Sequence, residues 1–502
     1  MDSFAILSSF FTVNYLNSIT NIFISTNGTT SAMSVKKPYC FMMILALMLP
    51  AWSAAAIHPT IARDLPSGPK TLGQGAYDLL IIAPREFHRE LLPLVHHKNS
   101  LGIRTRLVDI NQVYAHMFWQ GRDAAEKVKY FIKAAVEDWG VRYVLLVGGR
   151  RNQGHSEQWW VPVRYSHLDR PYEQYQEEKF LSDLYFADLY NQNGSFSSWD
   201  DNDNGVFGEW AQGSAAADRP DLVPDVSLGR LPCLNEQEVR IVVQKIIRYE
   251  NRVSSDDAWF NTMVVAGGDT YPGRTPYYDG EMYTQQALDL MPGFAPVKLW
   301  TSTDTLKNPW SVISAVNKGC GFLFLSGHGN PKLWATHPPN DNSTWIYGLR
   351  QRDLPFLHNR GKLPVCVTGS GCFNSMFNVS LGNRRWVRGI PTPYCLSWAL
   401  IVQKHGGSIA TIGATAFSYE SPDINLGVGG IEWLDKQFFA EYGQNHTQIL
   451  GDAWSDSVTE VLKECPINWD DSAVDGSAII AKNVEEWVLF GDPSMKIGGY
   501  RA

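Results

Sequence analysis

The chain has 502 residues, more than one hydrophobic core usually serves, and its 44% hydrophobic and 19% charged content is that of a globular protein. With 43 basic and 51 acidic residues, a net charge of −8 and no long basic run, it is not built to track a nucleic-acid backbone. Seven cysteines without a CxxC pair exclude a disulfide scaffold, a zinc ribbon and a thioredoxin-type motif, leaving room for one bridge or a lone nucleophile.

Lys36 and Lys37 precede an apolar run from Tyr39 to Trp52, and small residues follow from Ser53 to Ala56. This is the pattern of a secretory signal peptide, so a secreted or periplasmic protein is expected. The run falls short of the ~20 residues of a membrane span, and no lipobox cysteine follows, so no stable membrane anchor is expected. Met33 is the expected true start, which makes residues 1–32 a mis-called extension and residues 1–56 no part of the fold. Residues 57–75, rich in Pro, Gly and Thr, read as a linker or short pro-segment.

From Tyr77 strands and helices alternate. Tyr77–Pro84 is a buried strand, Phe87–Ser100 a helix closed by Gly102, and Arg104–Ile110 a strand. Asp123–Trp139 is a helix closed by Gly140, and Val141–Val147 a strand. This βαβαβ run predicts a parallel sheet with right-handed crossovers. Residues 150–220 break the rhythm. A strand at Val223–Arg230, a helix at Glu236–Arg252 and a linker at Val253–Asp257 end an N-terminal subdomain, 76–258. A second α/β run fills 259–502, with strands at Asn261–Asp269, Cys320–Ser326, Leu363–Thr368 and Ser408–Gly413. The expected fold is α/β: two adjacent subdomains, each with a mostly parallel sheet flanked by helices.

Open parallel sheets bind ligands beyond the carboxyl ends of their strands. Two such ends carry chemistry: one strand runs into Gly327-His328-Gly329, another into Gly369-Ser370-Gly371-Cys372. A thiol with a nearby imidazole is a nucleophilic pair, and the backbone N–H groups of Gly329 and Cys372 are candidate oxyanion donors. Packed strand-end cysteines are common, so placement alone leaves a structural role open. Cys366, Cys320, Cys395, Cys233 and Cys465 are read as structural.

Phe322-Leu-Phe-Leu-Ser-Gly-His-Gly329 with Pro364-Val-Cys-Val-Thr-Gly-Ser-Gly-Cys372 resembles the gingipain family of cysteine peptidases, within the caspase–legumain–gingipain group. Trp139–Gly148, Leu228-Gly-Arg-Leu-Pro232 and Phe490-Gly-Asp-Pro-Ser494 extend the resemblance over roughly residues 76–496. It implies a caspase-like C-terminal subdomain that cleaves peptide bonds through a thioester. Cys372 would be the nucleophile, and His328 the acid that protonates the leaving amine. Asp269, ending the first catalytic strand, would orient the histidine. Protein or peptide substrates are implied, with no cofactor for the chemistry. With nine residues after Pro493, no C-terminal sorting domain is expected. A non-catalytic binding or adhesion module and a sortase-like acyl-transfer enzyme are the alternatives; retention of both His328 and Cys372 favours the peptidase.

Gingipains cut after Arg or Lys, using an acid in the primary pocket. Asp279 and Glu281 are candidates for it; their alternative role is to favour the N-terminal dipole of the next helix. Ser326, Ser370 and the Phe417–Glu420 loop with Tyr419 are expected to wall the cleft. Asp200, Asn202 and Asn204 stand at positions 1, 3 and 5 of an EF-hand-like loop with Gly205 at 6, but Glu209 falls at position 10 rather than 12. Structural calcium is the expectation there, and a solvated Asx-rich turn the alternative. The His96–His97 pair is read as surface. Nothing in the sequence sets an oligomeric state.

Overall fold

In the computed structural model, residues 72–500 are described, apart from 74, 171–176, 253–257, 275, 383–385, 388, 422–427 and 475. The signal-peptide reading and the 253–257 linker lie outside them. Among the described residues no helix is long and apolar enough to cross a membrane.

The first α/β run gives β1 (Leu79–Ala83), α1 (His88–Ser100), β2 (Thr105–Asp109), α2 (Ile110–His116), α3 (Ala124–Trp139) and β3 (Tyr143–Val147). A long connection holding β4 (Tyr165–Ser166) and β5 (Phe180–Leu181) leads to β6 (Ser227–Leu231) and α4 (Glu236–Glu250). The second run gives β7 (Thr262–Gly267), α5 (Asp279–Asp289), β8 (Ala295–Trp300), α6 (Pro309–Lys318) and β9 (Phe322–Leu325). Then come β10 (His328–Asn330), β11 (Leu333–Thr336), β12 (Ile346–Arg350), β13 (Val365–Thr368), α7 (Leu396–Ile401) and β14 (Ala410–Ala414). The chain ends in α8 (Ile431–Gly443), α9 (Leu450–Glu464), α10 (Gly476–Glu486) and β15 (Trp487–Phe490).

Local signals explain the boundaries. Asp123 caps α3 through the Glu126 N–H, and Gly140 closes it at φ 71°. Asn235 caps α4 in the same way. The strand expected to reach Ile110 stops one residue earlier, because Asp109 and Gln112 form a capping box that starts α2. β15 has no turn signal before it, since α10 runs straight into it.

The two runs form the halves of one ten-stranded sheet, ordered β2-β1-β3-β6-β15-β14-β13-β9-β7-β8. Every adjacent pair is parallel except β14–β15. β1, β3, β9, β13 and β15 are buried along their whole length, as strands covered on both faces must be. Two of the motifs quoted above meet at the seam between the halves. Gly491 N–H donates to the Arg230 carbonyl at 3.1 Å, and a β-carbon on Gly229 would strike the Gly491 carbonyl oxygen. The buried Arg230 guanidinium forks onto Asp183 at 2.6 and 2.8 Å. Lys98 of α1 is fully buried between Glu250 (2.7 Å) and Asp492 (2.8 Å). His97, expected at the surface, is buried against Glu250 as well, at 3.0 Å, whereas His96 is exposed. The cause is the Glu250 carboxylate, which needs donors once it is out of water.

Gly229→Ala is expected to cost about 1–3 kcal/mol of stability through overpacking at this seam, read as a lower denaturation midpoint. An unchanged midpoint would mean the seam is loose.

Candidate active site

β7 lies between β8 and β9, so the chain turns both ways from it and a crevice opens at the carboxyl ends of β7 and β9. β9 delivers His328 to that crevice and β13 delivers Cys372. β10–β12, unanticipated because His-Gly-Asn has no strand pattern, form a small antiparallel sheet that fixes His328 opposite Ala335.

Two clasps hold the strand-end loops together. The Ser370 hydroxyl accepts from Gly327 N–H (3.2 Å) and donates to the Leu325 carbonyl (3.3 Å). The Asn374 amide donates to the carbonyls of Asn330 (2.8 Å) and Leu333 (3.0 Å). Between them glycine meets glycine: a β-carbon on Gly329 would lie 2.5 Å from the Gly371 carbonyl carbon. Only residues without side chains let the two loops come this close.

The His328 ring is enclosed by Tyr271, His337 and Trp345, with ring centroids 5.2, 5.8 and 5.3 Å away. Its Nε2–H donates to the Thr270 carbonyl at 2.7 Å, which leaves Nδ1 as the free lone pair of the neutral ring. Burial drives its pKa down to about 4, against the pull of the Thr270 carbonyl and with a further push from His337. Of the six described cysteines, all free, Cys372 alone is not buried. Its Sγ has Ser418 on one side, with the hydroxyl at 3.2 Å and the carbonyl at 3.6 Å. Burial of the thiol group itself raises its pKa to about 11, with the Ser418 hydroxyl opposing. Phe373, next in the chain, is held at φ 61°, a strained conformation for a bulky residue.

The sequence matches the model of peptidase family C25 over residues 73–498. The chain belongs to peptidase family C25. It is 20% identical over 428 residues to gingipain R2 of Porphyromonas gingivalis, covering 84% of this chain and 46% of that one. It is 24% identical over 216 residues to Lys-gingipain of the same species, covering 42% of this chain and 11% of that one. The chain thus spans about half the length of gingipain R2, and far less of Lys-gingipain. Among solved structures, the Arg-specific cysteine proteinase gingipain R aligns at TM-score 0.57 and 17% identity, covering 84% of this chain and 78% of that one. The complex of the pro- and mature domains of RgpB from P. gingivalis aligns at 0.56 and 16%, covering 84% and 79%. The fold is therefore the caspase-like α/β fold of gingipain R.

Several expected roles change within this C25 frame. Asp269 does not orient His328: its carboxylate accepts from Asn340 N–H at 2.8 Å, its other oxygen has no hydrogen-bond partner among the described residues, and the neighbouring Thr270 carbonyl holds the ring. The Cys372 N–H donates to the Ser370 carbonyl at 3.1 Å, so it would have to leave that bond to serve an oxyanion. Gly329 keeps its place on β10, against the cysteine loop. Ser326 and Ser370 are buried, Ser370 spent as the clasp and Ser326 packed behind Gly280, so neither walls the cleft. Glu281 is saturated by Thr301 Oγ1 (3.2 Å), Ser302 N–H (2.9 Å) and Ser302 Oγ (2.5 Å), which tie α5 to the end of β8. Tyr419 is buried, its hydroxyl on the Arg170 carbonyl at 3.3 Å.

Asp279 reaches the surroundings of His328 through Tyr271, accepting from the Tyr271 N–H, while the Tyr271 ring packs on His328. It shares its surroundings with Glu420 and Glu432, both missed by sequence reasoning although Glu420 ends a loop singled out there. Burial, then the Asp279 charge, pushes Glu420 up to about 8, against Arg274. Burial, then Glu420, pushes Glu432 well above the carboxylate range. Arg274 meets one Glu420 oxygen at 3.1 Å; the other, and Oε2 of Glu432, have no hydrogen-bond partner among the described residues.

The calcium expectation gains no support from the geometry. The Arg122 guanidinium sits on the Asp200 carboxylate, whose oxygens also accept from Asn204 N–H (3.0 Å) and Gly205 N–H (2.9 Å). Asn202 and Asn204 each accept from a backbone N–H two residues on, and both amides donate to Glu209. The loop is a web of Asx turns with an internal cation where the ion was expected. Chelation by EGTA is expected to leave the melting temperature unchanged; a fall of several degrees would restore the metal.

Proposed function

We propose that the protein is a secreted cysteine endopeptidase in which Cys372 and His328 form the dyad and a buried acidic pocket selects a basic P1 residue. The observation that carries this reading is the seating of thiol and imidazole on strand-end loops locked together at Gly329 and Gly371. Both groups start neutral, which fixes the proton accounting. As the sulfur attacks the scissile carbonyl, the thiol proton passes to His328 Nδ1. From there it goes to the leaving amine, giving a thioester that water then hydrolyses. The Thr270 carbonyl holds Nε2–H throughout, so the ring keeps one orientation for both transfers. The N-terminal pattern of Lys36–Ala56 supports export.

Asp279, Glu420 and Glu432 supply the specificity. Two buried carboxyl groups, Asp279 and Glu432, and the nearly buried side chain of Glu420, two of the three with an oxygen unpartnered among the described residues, form a poor resting place for charge and a good receptor for a guanidinium or ammonium. The gingipain R structure is of an Arg-specific enzyme, which agrees with this choice.

Hydrolysis of a P1-scanning peptide library should be abolished by Cys372→Ala and should favour P1 Arg or Lys. Asp279→Asn is expected to lower kcat/KM for those substrates by about 30-fold or more, the cost of losing one partner of a buried charge pair. Because Glu420 ionises only as pH rises through about 8, selectivity for basic over neutral P1 should grow between pH 6 and 9, and Glu420→Gln should flatten that rise. Cleavage after neutral residues, insensitive to these substitutions, would sink the pocket; hydrolysis surviving in Cys372→Ala would sink the dyad.

A further inference from the structure

We infer that Ser418 is a further catalytic residue: its hydroxyl donates a hydrogen bond to the Cys372 sulfur and stabilises the attacking thiolate. The inference rests on Cys372 being the nucleophile.

Among the described residues the hydrogen-bond partners of Sγ are both on Ser418, the hydroxyl at 3.2 Å and the carbonyl at 3.6 Å. His328 has its Nε2–H committed to Thr270. A thiol sulfur is a weak acceptor and a thiolate a strong one, so an O–H aimed at it gains strength as the proton leaves. The hydroxyl keeps its own proton, and the thiol proton follows the route to His328 Nδ1 given above.

The serine is held for this task from three sides. The cysteine turn is pinned to its loop by Phe373 N–H on the Ala416 carbonyl (2.8 Å) and Ser375 N–H on the Ala414 carbonyl (2.9 Å). On one flank, Phe417 N–H donates to Glu177 at 3.2 Å, and that carboxylate is paired with the buried Lys482 of α10 at 2.9 Å. On the other, Tyr419 and Asn483 of α10 exchange two hydrogen bonds, at 3.0 and 2.9 Å. Thr415 adds its hydroxyl on the Leu181 carbonyl (2.6 Å) and its N–H on the Glu486 carbonyl (3.0 Å). A donor fixed before the charge forms needs no reorganisation when it does. Glu177 and Leu181 come from the β3–β6 connection, so the N-terminal half of the sheet contributes to setting the nucleophile.

The test is iodoacetamide labelling of Cys372 in the purified full chain, followed at its peptide by mass spectrometry from pH 6 to 10, beside kcat/KM for peptide hydrolysis. Ser418→Ala should hold about tenfold less thiolate below the thiol pKa. It should label about fourfold more slowly, because a more basic thiolate recovers part of the loss. kcat/KM should fall at least as far, and Ser418→Thr should restore both. Ser418→Thr against Ser418→Val compares a hydroxyl with a methyl in one shape, which keeps the test decisive if the alanine variant fails to fold. Equal labelling with and without the hydroxyl, at matched melting temperature, overturns the proposal. Activity that survives Cys372→Ala overturns instead the nucleophile on which it rests, whatever the labelling shows.

Discussion

The seam between β6 and β15 is the constraint on which the rest of the structure depends. Ten strands become one sheet only if Gly229 lies close enough to Gly491 for backbone to meet backbone. Charges flank the contact, with Arg230 on Asp183 on one side and Lys98 between Glu250 and Asp492 on the other. Breaking either set would strand an ion in the interior, which costs more than a lost surface pair. Because β15 runs with β6 but against β14, the strands of the two halves point in opposite directions. The long β3–β6 connection reaches across to the C-terminal half, through Glu177 and Leu181 on the β14 loop.

That arrangement turns two ordinary strand ends into a site. β9 and β13 are parallel neighbours, so their carboxyl ends lie side by side, and the small residues at 329 and 371 let the loops beyond them touch. Polar clasps from Ser370 and Asn374 make the contact specific. These buried side chains explain why a glycine- and serine-rich stretch surrounds each reactive residue. Most of that polarity holds loops rather than substrate.

The sequence showed the sheet well because its strands are continuous apolar runs ended by glycine, and that pattern survives without knowledge of neighbours. It singled out His328 and Cys372 as candidates for the same reason, since strand ends in parallel sheets are where side chains project beyond the sheet. What it could not show depends on contacts distant in the chain. β10 is a strand only because β11 pairs with it, and β15 was hidden by the helix that runs into it. Glu281 looked like Asp279 until Ser302, brought alongside by β8, absorbed its carboxylate. The Asx-rich loop reads as a cation site, and only the fold brings Arg122, far away in sequence, onto its Asp200 carboxylate. Ser418 has no motif, and only the folding of the β14 loop over the cysteine turn reveals it.

The substitution of a carbonyl for a carboxylate behind His328 has a chemical consequence. A carboxylate would stabilise the imidazolium strongly and favour a resting ion pair with the thiolate. The Thr270 carbonyl carries only a partial charge, and the enclosing rings of Tyr271, Trp345 and His337 offer little more. With the imidazole down at about 4 and the thiol up at about 11, the free enzyme holds two neutral groups. On the reading proposed above, the proton then moves when a substrate carbonyl is present to receive the sulfur, not before. A site of this kind protects its thiol at rest, and it relies on a local donor at the sulfur and on a precisely seated substrate to draw the charge out. On the reading proposed above, the Asp279, Glu420 and Glu432 carboxyl groups would supply that seating through the P1 side chain, and specificity and reactivity would then be coupled.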